Sequence, residues 1–202
     1  TAEKYYAYSG KPFCAFDYLL RAVELNAIEK GANPDELYQN GYYDFTNAAL
    51  KASYMQFAEA IAKGHLMVAE LYSNTHVMTG DVPCGAGSSA AVMYYNDTVT
   101  YPDNTSEPLD LKILPLPQNE NCPKYATQAG VGLCAYKTTE QKAEAASVFA
   151  HWLTEGARNL DFVAETGYMP MRNDAYNALE SYSFPKESYR ELYSALTEIR
   201  NT

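Results

Sequence analysis

Residues 81–97 read DVPCGAGSSAAVMYYND. Three signals follow one another in this stretch. Residues 81–84 suit a strand or turn, residues 85–90 are small and suit a loop, and helix formers then follow Ser88 and Ser89, either of which can cap a short helix. An extended piece, a loop and a helix in that order make the repeating unit of α/β layers.

Outward from there the alternation continues. AGVGLCAY, Ala129 to Tyr136, reads as an apolar strand; Thr138 or Thr139 caps the helix AEAASVFAHWL, which runs to about Leu153. Thr154 is expected to cap GARNLDFVAE, which stops at Gly167, and Tyr168-Met-Pro-Met-Arg172 is extended. One or two helices then run from about Asn173 to Ile199, broken near Pro185. On the amino side, Phe13, Phe16, Leu19, Leu20, Val23 and Leu25 fall near a 3.6-residue period, so residues 13–30 are expected to be helical up to the Gly31-Ala-Asn-Pro34 stop. A second helix, capped by Thr46, covers about Asn47 to Ala62, and a third, short one covers Leu66 to Tyr72. Residues 100–108 are a loop, and Leu109 to Leu116 alternates like a strand leaving a sheet. The class is α/β, with few strands for a complete doubly wound domain.

Composition narrows the function. The 202 residues carry a formal charge of −10, which leaves no basic stripe for phosphates and argues against nucleic acid and against docking on anionic lipid. At 47% hydrophobic, the chain can bury a sizeable core. Tyrosine stands out, with 19 Tyr against 7 Phe and 1 Trp. Its ring and hydroxyl suit polar ligands with apolar faces, such as sugars, although most single tyrosines serve as half-buried helix residues. Cys14, Cys84, Cys122 and Cys134 include no CxxC pair, so zinc is disfavoured and they are expected to be mostly buried thiols. No apolar run reaches the roughly 18 residues of a membrane span. Thr1 is not an initiator, so the chain is expected to be trimmed or cut from a longer product.

Few motifs carry chemistry. Gly85-Ala-Gly87-Ser-Ser-Ala90 fits G-x-G-x-x-A, but a dinucleotide site needs an apolar strand before it, and Pro83 interrupts one here. A serine-started helix offering free N–H groups to a ligand is the stronger reading, beside a plain capped helix with no ligand. G-x-S-x-G and H-E-x-x-H are absent, and no pair of carboxylates is singled out. His151 and Trp152 share one helix, with Trp152 expected in the core beside Val148 and Phe149.

Four segments together resemble the family-one extracellular solute-binding proteins of bacterial ABC importers, the maltodextrin, oligosaccharide and glycerol-phosphate binder type. They are Gly80 to Ala90, Ile113-Leu-Pro-Leu-Pro117, Gly130-Val-Gly132-Leu with its capped A-x-x-F-x-x-W-L helix, and Glu165-Thr-Gly-Tyr168-Met-Pro170-Met-Arg172. The resemblance covers roughly residues 46–176. It implies a type II periplasmic-binding-protein-like fold, two lobes hinged about a cleft, of which this chain holds mainly the second, incompletely. Residues 1–122 would form that lobe, 123–167 would cross toward the first, and 168–202 would return.

The same resemblance implies a ligand set: Ser88 and Ser89 as hydrogen-bonding residues, Gly130 and Val131 as backbone contacts, Tyr168 as an aromatic at the cleft, Arg172 for a phosphate or carboxylate or else as a hinge residue, and Tyr94 or Tyr95 for stacking in place of the tryptophans of sugar binders. Pro83 and Cys84 depart from the family pattern, which speaks against maltodextrin-like specificity. The expected function is extracytoplasmic capture of a small polar solute, carbohydrate foremost, by a periplasmic or lipid-anchored protein. Delivery to a membrane ABC permease would follow, with no cofactor, no metal and no catalysis. Two other readings stand beside it: an α/β enzyme, nucleotide-dependent or hydrolytic, built on the Gly85–Ser89 loop, and a lobe that serves only as an interaction surface.

Overall fold

The computed structural model describes residues 1–122, 124–130, 132–136 and 138–201, without the side chain of Asn201. After helix α1 (Ala2–Ser9), the chain forms β1 (Cys14–Phe16), α2 (Leu19–Glu29), a hairpin of β2 (Tyr38–Gln39) and β3 (Tyr42–Tyr43), α3 (Ala48–Ala62), β4 (Leu66–Val68), α4 (Ser73–Met78) and β5 (Cys84–Ala86). A 3₁₀ turn at Ser89–Tyr94 and a small antiparallel pair, β6 (Thr98–Thr100) with β7 (Ser106–Pro108), complete the first half.

The sheet that organises this half has three strands in the order β4-β1-β5, all parallel. Helices cover both of its faces. On one, Phe16 meets Phe57 of α3 edge-on, and α3 packs on α2 through Leu50, Val23 and Ala27. On the other, Ala15 packs with Val77 and Val82 around α4. The chain leaves β1 to build β4 on one side, then crosses over to build β5 on the other. The carboxyl ends of β1 and β5 therefore flank the point where strand order reverses, which is where open α/β sheets hold ligands.

The second half is helical: α5 (Glu140–Leu153), α6 (Gly156–Thr166), α7 (Asn173–Ala178) and α8 (Glu187–Asn201). Leu160 and Val163 of α6, Ala175 and Tyr176 of α7, and Leu192, Tyr193 and Leu196 of α8 share one core with Val92 of the 3₁₀ turn. Thr139 caps α5 through its hydroxyl, Gly167 ends α6 in the left-handed region, and Pro185 separates α7 from α8, as read from the sequence.

Several expectations fail. Residues 13–30 are not one helix: Cys14–Phe16 is the central strand. A short parallel strand covered on both faces is apolar throughout, so it imitates a helical stripe. The helix expected over Leu66 to Tyr72 is edge strand β4 followed by α4; three apolar residues are too short a run to show a period of two. Among the described residues, no strand lies within Leu109 to Leu116 or Ala129 to Tyr136. The Leu109 N–H donates to the Asp97 carbonyl and the Ile113 N–H to the Glu191 carboxylate, while Leu114, Leu133 and Tyr136 are left exposed. Trp152 is not core; it is 48% exposed, stacked on Phe149 with the Arg158 guanidinium 4.5 Å from its ring. Asn47, not Thr46, caps α3, and the Thr154 hydroxyl bonds back to the Ala150 carbonyl instead of capping α6. Of the four cysteines none is fully buried, and Cys134 is exposed.

Candidate functional site

The carboxyl end of β1 delivers Asp17. Its N–H donates to the Ala86 carbonyl at 2.9 Å, which extends the β1–β5 ladder by one step and fixes the residue beside the loop after β5. Its carboxylate accepts the N–H of Ser73, the first residue of α4. A negative charge at a helix start is favourable, because the N–H groups there have no partner within the helix.

Two glycines make room for this arrangement. A Cβ on Gly87 would stand 2.5 Å from Asp17 Oδ2. On Gly85 it would stand 3.0 Å from the Tyr95 hydroxyl and 3.1 Å from Ser73 Oγ. Neither glycine has a positive φ, so both are needed for space and not for backbone freedom. Ser73 is buried, and its hydroxyl has no hydrogen-bond partner. A buried hydroxyl without a partner costs free energy, and a polar ligand group reaching it would recover that cost. Burial, aided by Asp17 and the thiols of Cys14 and Cys84, pushes the Tyr95 phenol up to about 12, so it stays a neutral donor at physiological pH. A carboxylate, a free hydroxyl and a neutral phenol thus face two bare stretches of backbone.

Gly85 lies inside strand β5, and the element after it is 3₁₀, not α. The G-x-G-x-x-A match is therefore not a strand–turn–helix cradle for a pyrophosphate; its glycines serve Asp17, Ser73 and Tyr95.

Of the residues expected from sequence, Ser88 is exposed and Ser89 half-buried in the turn that continues from this point. Gly167 closes directly on that turn: a Cβ there would lie 2.7 Å from the Ser89 carbonyl oxygen. Tyr168 follows at once, partly exposed, its ring centroid 6.3 Å from that of Phe162 and its carbonyl held by the Tyr193 hydroxyl at 3.0 Å. The Ser88–Ser89 turn and the Gly167–Tyr168 turn are thus neighbours. Tyr94 is 62% exposed, and its carbonyl accepts from the buried Asn74 amide. Arg172 is exposed and already paired with Asp174, Nε to Oδ1 at 3.0 Å. Gly130 is exposed, and a Cβ on it would meet no atom within 4 Å. Val131 lies outside the described residues. Sequence reasoning offers Tyr95 only as a stacking ring and misses Asp17 and Ser73. The signal for Asp17 was an acid directly after an apolar triplet, lost once that triplet was read as helix.

A doubly covered parallel sheet, with polar side chains and a small-residue turn gathered at its strand-order reversal, makes an α/β fold with a candidate ligand site. The family model of the bacterial extracellular solute-binding proteins matches residues 15–187, and the chain belongs to that family. No curated protein and no solved structure matches it. Membership carries the general function: binding a small solute outside the cytoplasmic membrane for delivery to an ABC transporter. Among the described residues no helix is long and apolar enough to cross a membrane.

Proposed function

We propose that the chain captures a small polyhydroxylated solute, a carbohydrate, without chemical change, and that a second wall closes over the solute before it is passed to the permease. The observation that carries this reading is the buried Ser73 hydroxyl without a partner, set beside the Asp17 carboxylate. Vicinal hydroxyls suit it: one donates to Asp17 and another accepts from Ser73 or Tyr95. Tyr72 and Tyr94 adjoin Ser73 and Tyr95 in sequence and expose 64% and 62% of their surface, which leaves rings free for the apolar face of a sugar. Ser88, Ser89 and Tyr168 extend the same wall. Closure follows from differential contact: a solute that touches both walls only in the closed state shifts the population toward it.

Calorimetric titration against a panel of mono- and oligosaccharides and glycerol phosphates tests this, with chromatography of the recovered ligand. Saturable heat with one sugar, recovered intact, is expected. Silence across the panel, or turnover of a glycoside, overturns the reading.

A further inference from the structure

At the opposite end of the same strands stand two cysteines. Cys14 opens β1 and Cys84 opens β5, and the two are direct Cα partners in the parallel register. Registered residues on adjacent strands project from the same face of the sheet. Strands lie about 4.8 Å apart, inside the roughly 4.4–6.8 Å range of Cα separations that a disulfide spans. Both residues are partly buried, and the Cys84 thiol lies close enough to act on the Cys14 thiol electrostatically. Membership of an extracellular family adds the compartment, since disulfides persist where proteins are exported.

We propose that Cys14 and Cys84 form a disulfide that ties the central strand to β5. The oxidant is a second disulfide, on a small thiol or an exchange protein. The Cys84 thiolate, on the less buried residue, attacks it and expels one thiolate. Cys14, deprotonated, then attacks the Cys84 sulfur and expels the second. Two cysteine thiols are oxidised, the donor disulfide is reduced to two thiols, and the two protons pass to the departing thiolates. Burial pushes the Cys14 thiol up to about 12 and the Cys84 thiol upward as well. Thiolate is therefore scarce once the sheet has packed, and the bond forms as the strands assemble. Because β1 and β5 carry Asp17 and the Ser88 turn at their other ends, the link fixes the spacing of the wall.

The test is to refold the reduced Cys122→Ser/Cys134→Ser protein with excess oxidised glutathione and map its peptides without reduction. The expected result is loss of the mass of two hydrogens, one linked peptide pair holding Cys14 and Cys84, and a higher melting temperature than the reduced form. Full alkylation of both thiols, or separate glutathione adducts on each, in protein with a native far-UV spectrum overturns the proposal. Should that variant not refold, wild-type protein exported to an oxidising periplasm is mapped in the same way. There a Cys14–Cys84 pair supports the proposal, and free thiols or pairing with Cys122 or Cys134 contradicts it.

Discussion

The sequence writes Gly-x-Gly twice, and the two copies have opposite surroundings. Gly85 and Gly87 are hemmed in: a methyl group on either would press on Ser73 and Tyr95 or on Asp17. Gly130 and Gly132 stand in the open, where a methyl group would meet nothing within 4 Å. Both pairs sit next to apolar or small residues, and both resemble backbone that meets a ligand. The difference is that the first pair follows a strand paired with β1, while no described strand lies beside the second. A glycine spacing marks close approach only where other side chains converge on it.

Substitution sharpens that contrast. Gly87→Val should have the largest effect. The added carbons displace the Asp17 carboxylate, which can swing away, so melting should fall only modestly while solute affinity drops about 10- to 100-fold, the worth of a charge-assisted hydrogen bond. Calorimetry beside thermal melting checks both halves.

Ser73→Ala should weaken binding about 3- to 10-fold, as for one neutral hydrogen bond. The unliganded protein should melt at the same or a higher temperature, because a buried hydroxyl without a partner has been removed. Binding loss together with a clear fall in melting temperature would make Ser73 a structural residue instead.

Gly130→Ala should leave affinity unchanged and stabilise the protein by up to about 1 kcal/mol, through a less flexible unfolded chain. A loss of affinity there would erase the contrast between the two pairs and restore the reading in which Gly130 meets the solute.

Tyr95→Phe should change stability least at neutral pH. The phenol ionises near its ordinary value when unfolded and at about 12 when folded. Its contribution is thus complete below about pH 10 and is lost as pH rises toward 12. Urea unfolding at pH 8 and pH 11 should show a smaller fall in stability for the variant than for wild type.

How far the sequence could be read follows the same division. The helices Ala48–Ala62, Glu140–Leu153 and Gly156–Thr166 were legible because each has a long periodic stripe or a clear stop. Strands β1 and β4 were not, since three residues embedded in a longer apolar run carry no period of their own. Losing β1 also lost Asp17, whose importance lies only in its place after a strand. The meeting of Ser89 with Gly167 was readable as two loops, but their contact depends on α6 packing against Val92 across 71 residues of chain, which spacing alone does not reveal. In α5 the stripe was read correctly, yet Val148, Phe149 and Trp152 remain exposed. An apolar pattern states what a helix is able to bury, and the neighbours decide whether it does.

The most direct measurement compares wild type with Asp17→Asn by calorimetric titration against the sugar panel. The change keeps the side chain's shape and removes its charge. The account predicts saturable binding of one sugar by the wild type, weakened at least about 10-fold in the variant, with a melting temperature only slightly lower because one helix-start charge is removed. Equal affinity in the two proteins, or no sugar bound by either, would contradict it.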